Sequence, residues 1–143
     1  MALPETIIIP QKPPMVMVDH LVELTGTTIA TTFLIREDNL FCEQGRFREP
    51  GLIENMAQTA AAGMGARLSG GGESAPLGFI GGIRNLKIVE LPQAGQEITT
   101  RVTILHQVFD ATIVLGEAFL AGRLIASGEL KIFLQRNEPS RDS

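Results

Sequence analysis

The chain contains no tryptophan, no tyrosine and a single cysteine, Cys42. One cysteine excludes an internal disulfide. With only two histidines, His20 and His106, far apart in sequence, it also excludes a structural zinc site of the cysteine–histidine type. No metal and no cofactor is expected. Basic residues are few: 12 Lys and Arg, scattered, against 16 Asp and Glu, for a net charge of −4. A nucleic-acid partner is not expected, because backbone recognition needs a basic patch. Long apolar runs are missing as well. Mean hydropathy is high for a soluble protein, at +0.17. Yet the longest apolar stretches, 6–9 and 111–115, are strand-sized, well short of the roughly 20 residues that cross a bilayer. No membrane association is expected. The first ten residues show neither a cationic start nor a long apolar stretch, so no secretory signal is expected, and the single cysteine points to a reducing, cytoplasmic setting.

What is present is a chain of 143 residues, 44% hydrophobic, whose core must be built from Ile, Leu, Val, Met and Ala. That length predicts one domain, with an ordered core over about 12–134 and a polar tail at 137–143. Four prolines (Pro4, Pro10, Pro13, Pro14) make the start an extended lead-in. Residues 15–24 read as a short strand or a helical turn. The Thr- and Ile-rich stretch 28–35 reads as a strand, and 37–49 as polar and irregular.

Residues 52–68 are the one segment with a helical stripe: Leu52, Ile53, Met56, Ala57, Ala60, Ala61 and Met64 recur at helical spacing. Pro50 and Gly51 stand before it, where a missing N–H is tolerated. So many small residues make a slim helix, with Ala57, Ala60 and Ala61 expected to face a closely approaching sheet. The triple glycine 70–72 ends it as a loop; it follows a helix and lacks the Lys-Ser/Thr of a phosphate loop. The rest reads as strands: 78–89, interrupted by Gly81–Gly82, then 97–105, 109–120 and 123–134, the last two joined at Ala121–Gly122. One helix and many strands exclude a doubly wound fold and predict an α+β domain with an antiparallel sheet curled around a central helix. Its exposed edge predicts a dimer that joins two sheets.

Residues 51–58, Gly-Leu-Ile-Glu-Asn-Met-Ala-Gln, resemble the central-helix signature G-x-L-I-x-E-x-x-A-Q of hotdog-fold 3-hydroxyacyl-acyl-carrier-protein dehydratases. Matching stretches occur in the same order: Pro14–Asp19, Gly78–Ile83 with Leu86–Ile88, Gly95–Ile98 and Gly128–Ile132. The resemblance covers roughly residues 12–134 and lies nearest the divergent branch of that family, pigment-associated or otherwise uncharacterised. It implies a hotdog fold and the dehydration of a 3-hydroxyacyl thioester, on an acyl carrier protein or coenzyme A, in fatty-acid or polyketide-type biosynthesis. It also implies a homodimer or higher oligomer of dimers, or a heterodimer.

By the same resemblance Glu54 is the helix carboxylate that assists the departing hydroxyl, and Gly51 N–H is the oxyanion donor, although Gly51 stands two residues closer to Glu54 than in the family. Gln58, Arg46, Gly81 and Gly82 become substrate-binding positions. Arg46 stands where the family has its catalytic histidine, and an arginine cannot act as a base. Placing the gap elsewhere brings that position to Asn39 or Leu40, neither of them a base.

Without the resemblance, several of these residues have plainer explanations. A first-turn glutamate is favoured by the helix dipole alone. Glu54, however, sits among Leu52, Ile53, Met56 and Ala57, where desolvation gives a carboxylate catalytic use. Arg46 reads most simply as a surface residue beside Arg48 and Glu49, or else as a binder of an anionic group. Gly81–Gly82 is a bulge or a point of close substrate approach. His20 and His106 are ordinary strand-end residues, and Cys42 a small hydrophobe. The family's missing base keeps two alternatives open: a hotdog thioesterase using one carboxylate, and a non-catalytic acyl-binding subunit that supports an active partner.

Overall fold

The computed structural model describes residues 3, 7, 9–68 and 77–135. The glycine-rich loop and polar tail expected from the sequence lie outside the described residues. In chain order the elements are β1 (His20–Leu24), β2 (Thr28–Leu34), β3 (Cys42–Glu43), β4 (Arg46–Phe47), α1 (Glu49–Leu68), β5 (Leu77–Ile88), β6 (Glu97–Val108), β7 (Ala111–Leu120) and β8 (Arg123–Gln135).

Six strands form one sheet in the order β1-β2-β6-β7-β8-β5, antiparallel throughout. Period-two burial drives the pairing. In β7, Val114, Gly116, Ala118 and Leu120 are buried, while Ile113, Leu115, Glu117 and Phe119 are half-buried on the other face. The chain leaves β2 near one edge, runs through α1, and re-enters at β5 on the opposite edge. The helix therefore crosses the whole inner face and touches all six strands. Leu52, Met56 and Ala60 enter a common core with Phe33, Ile98, Val102, Val114, Ile125 and Leu130. This is the expected antiparallel sheet around one helix, the hotdog arrangement.

Differences from the sequence-based expectation have local causes. The helix starts at Glu49 rather than Leu52: Pro50 fits the first turn, and Gly51 N–H and Leu52 N–H both donate to Arg48 O, at 2.9 and 3.3 Å. The stretch 37–49 is not irregular throughout. It contains the β3–β4 hairpin, turned by Gln44 (φ 53°) and Gly45 (φ 78°), both left-handed. Ala121 (φ 51°) and Gly122 (φ 83°) make the expected β7–β8 turn. β6 runs on to Val108, past a bulge between Ile104 and His106, so Phe109 (φ 57°) belongs to a turn and β7 begins at Ala111. Residues 15–18 form no helical turn of their own: Met15 N–H closes a turn onto Lys12 O (2.8 Å), and β1 begins at His20.

The closest helix–sheet approach is made by glycines rather than by the alanine stripe. A methyl group on Gly63 would fall 2.4 Å from Ile29 Cδ1, and one on Gly116 would fall 2.8 Å from Met56 Sδ. Ala60 is buried in the core, whereas Ala57 and Ala61 are only half-buried. On edge strand β5, Phe79, Ile83 and Leu86 are exposed, and Val89 follows with 75% of its surface free.

Candidate functional site

Between Leu52 and Ala60, α1 carries four polar side chains among apolar ones. Asn55, Gln58 and Thr59 are fully buried. A buried amide or hydroxyl is tolerated only when its hydrogen bonds are made, and here they are. Gln58 Oε1 accepts from Met17 N–H (2.6 Å), and Gln58 Nε2 donates to Met15 O (2.8 Å). Asn55 Nδ2 donates to Met17 O (2.7 Å), and its Oδ1 accepts from Thr100 Oγ1. Thr59 Oγ1 donates to Asn55 O (2.7 Å) and lies 2.7 Å from Thr31 Oγ1. Two amides on one side of the helix thus grip both the N–H and the C=O of Met17, fixing the arm 15–17 along α1.

The remaining hydrogen of Gln58 Nε2 goes to the fourth polar side chain, Glu54, at Oε2 (2.9 Å). Glu54 is half-buried and faces the other way, into a groove of about 220 Å³ between α1 and strands β5 and β8. Gln11, Ala57, Ala60, Ala61, Met64, Phe79, Ile80 and Ile132 complete the lining. Among the described lining residues Glu54 is the one titratable group. The arrangement can hold an aliphatic chain, with a carboxylate oriented by a fixed donor at the wall. Chemically, that carboxyl can give or take one proton.

The other expected site residues lie elsewhere. Gln58 stands behind Glu54, enclosed and with both amide hydrogens used, rather than on the groove wall. Gly51 lies within the first helical turn rather than before the helix, and its N–H, expected to polarise a substrate carbonyl, is bonded to Arg48 O. Its Cα is pressed beneath Phe47 and Phe41, where a methyl group would fall 2.5 Å from the Phe47 ring. Arg46 is exposed on β4, bridged to Gln93, and does not line the groove of its own protomer. It adds to the field at Glu90, whose carboxyl the bonded Arg123 guanidinium (2.8 Å) holds below the usual range.

Gly81 and Gly82 occupy a bulge in β5. Gly81 lies against the Phe133 ring, and Gly82 opens onto a second hollow on the outer face of the sheet, with Arg84, His106, Glu129 and Lys131 around it. Neither glycine touches the Glu54 groove. His20 is exposed at the start of β1. Burial, and then the nearby Asp38, push the half-buried Cys42 thiol above its ordinary pKa, which suits an unreactive side chain. Among the described residues no three His, Cys, Asp or Glu side chains converge on a metal position, and no helix is long and apolar enough to cross a membrane.

Sequence reasoning missed Asn55, Thr59 and Gln11. The polar run Asn55, Gln58, Thr59 at helical spacing was the available signal for the first two. Gln11, in a proline-rich lead-in, carried none.

Comparison with known proteins agrees with this fold. The family model of the ApeP-like dehydratases matches residues 4–141. Among solved structures, the dehydratase heterocomplex ApeI:P from Xenorhabdus doucetiae superposes with a TM-score of 0.84 at 21% identity, over 96% of this chain and 94% of that one. The uncharacterized protein PH1136 from Pyrococcus horikoshii gives 0.70 at 9% identity, over 96% and 97%. A hypothetical thioesterase from Streptococcus pneumoniae TIGR4, solved with coenzyme A, gives 0.63 at 11% identity, over 81% and 84%. No curated protein matches the sequence.

Proposed function

The chain belongs to the ApeP-like dehydratase family, and from that premise we propose that it provides the acid half of a site that removes water from a 3-hydroxyacyl thioester. The observation that carries this reading is Glu54, held by Gln58 at 2.9 Å, at the wall of an aliphatic groove with no second titratable group among its described lining residues.

Dehydration needs two proton movements. A base takes the C2 proton, which the thioester carbonyl makes moderately acidic, and an acid protonates the hydroxyl leaving C3. Glu54 in its protonated form serves the second step. Gln58 fixes the carboxyl by donating to one oxygen, leaving the other for the substrate. The first step needs a base that the groove of this chain lacks, and Arg46 cannot supply it. The base is therefore assigned to a second subunit, a histidine-bearing hotdog chain paired along the β5 edge.

Phe79, Ile83, Leu86 and Val89 make that edge apolar enough to be covered, and an interface there is expected to bury at least roughly 1,000 Å². A homodimer would leave the site without a base. The similarity to a dehydratase heterocomplex supports a heterodimer. Because the Gly51 N–H is already bonded, carbonyl polarisation is not assigned to it. The thioester is carried by an acyl carrier protein or coenzyme A, in a cytoplasmic pathway of fatty-acid or polyketide type.

The test is incubation of a panel of 3-hydroxyacyl-carrier thioesters with this chain alone, and with a histidine-bearing hotdog subunit encoded beside it, read by mass. Loss of water only in the combined sample is the expected result. Release of the free acid would favour the thioesterase reading, which a lone carboxylate activating water also fits. Dehydration by this chain alone would remove the need for a partner base.

A further inference from the structure

One hydrogen-bond acceptor on a residue that lines the groove is left over. Gln11 Oε1 is buried and has no hydrogen-bond partner among the described residues. It shares the groove with Glu54, and the other lining side chains, Ala57, Ala61, Met64, Ile80 and Ile132 among them, offer no donor. This contrasts with Asn55, Gln58 and Thr59 on the same helix, whose side-chain polar groups are bonded. A buried acceptor without a donor carries a desolvation cost with no return in the empty protein. A bound molecule with a hydroxyl hydrogen removes that cost.

We propose that Gln11 Oε1 accepts the hydroxyl hydrogen of the bound substrate, so that Gln11 and Glu54 form a subsite selecting acyl chains hydroxylated at C3. The proposal rests on the dehydratase reading of the groove and deepens it. A secondary alcohol has one hydrogen to donate and two lone pairs to accept with. When its hydrogen lies on Gln11 Oε1, a lone pair is left for the proton of Glu54. The C3–O bond then breaks and water leaves with its original hydrogen and the one from Glu54. The C2–H electron pair becomes the C2=C3 bond, and the C2 proton goes to the base of the second subunit. Solvent exchange returns a proton to Glu54. A neutral amide neither gives nor takes a proton here; Gln11 selects and orients.

The test separates this role from a structural one by sign. Binding is measured with two pantetheine amide analogues, one bearing the 3-hydroxyl and one without it. Their C2 protons are too weakly acidic to be removed, so no turnover intervenes. The wild-type protein is expected to prefer the hydroxylated analogue by about tenfold, and Gln11→Leu to bind both within about twofold. The empty Gln11→Leu protein is expected to melt at a higher temperature than wild type, because an unpaired buried acceptor is gone; Gln11→Met repeats the measurement with an unbranched side chain. No preference in the wild type, or a preference that survives both substitutions, overturns the proposal. So does a lower melting temperature with the preference unchanged, which marks a structural residue. Turnover of the true thioester is scored separately: selective binding without loss of water would keep Gln11 and remove the reaction.

Discussion

Opposite sides of one helix are built to different rules. Towards β1, β2 and β6, Asn55, Gln58 and Thr59 are buried with their side-chain polar groups engaged, tying down the arm 15–17 and Thr31 and Thr100. Towards β5 and β8, Ala57 and Ala61 leave space, Glu54 turns a carboxylate outward, and Gln11 holds an unused acceptor. A saturated network contributes to folding and has nothing left to offer a ligand. An unsaturated wall gives up stability and keeps its hydrogen-bonding capacity for something bound. Gln58 belongs to both sides, since one amide group clamps the arm and orients Glu54.

The sharpest way to break this comparison is Glu54→Gln. The substitution keeps the shape of the side chain but cannot exchange a proton. In the assembled enzyme, dehydration should fall by roughly 10²- to 10⁴-fold, while the melting temperature stays near that of wild type. Full activity in this variant would mean that the chemistry sits elsewhere.

Gln58→Leu should act on both sides at once. It leaves Met15 O and Met17 N–H without partners and frees Glu54 to rotate. Unpaired buried groups cost about 1–3 kcal/mol each, so a loss of about 2–4 kcal/mol is expected in urea denaturation, together with a lower kcat. A stable variant with reduced kcat alone would show that the arm does not depend on this amide.

The next effect is a matter of packing. A methyl group on Gly63 would meet Ile29 side-chain carbons at 2.4 and 2.5 Å, so Gly63→Ala should destabilise by about 1–3 kcal/mol without touching the groove. Gly116→Ala should cost less, because its neighbour is the flexible end of Met56. Chemical denaturation of the two variants checks the order.

How far the sequence disclosed these two sides follows from the period of each signal. Alternation in β6 and β7, and the helical recurrence from Leu52 to Met64, are repeated over many residues, so the long strands, the helix and the fold class were legible. Glu54 and Gln58 were legible through the motif 51–58. The β3–β4 hairpin was not, because two residues per strand give no period and Gln44-Gly45 is a weak turn signal. The saturated side was hidden for a different reason. Asn55 and Thr59 look like solvent-facing helix residues until the arm 15–17 and Thr100 arrive from distant parts of the chain. Gly51 was expected at the reacting end, and Arg46 at a substrate-binding position, from motif position alone. Position in a motif could not show that the Gly51 N–H is already bonded, or that Arg46 is exposed on β4, bridged to Gln93 and away from the groove.

The smallest expected change in stability comes from the largest added side chain. Ala61 is half-buried at the groove wall, about two turns from Glu54, and Leu there extends into open space rather than into packed neighbours. Ala61→Leu should therefore shift unfolding by only about 0.5 kcal/mol in either direction, less than the single methyl of Gly63→Ala. Its effect should fall on the ligand. Filling part of a groove of about 220 Å³ shortens the acyl chain that fits. Competition among acyl thioesters of increasing length should move the preference toward shorter chains, with the proton chemistry at Glu54 unchanged. If Ala61→Leu instead destabilised as much as Gly63→Ala, the groove side would be packed core like the other, and the contrast between the two sides of the helix would be lost.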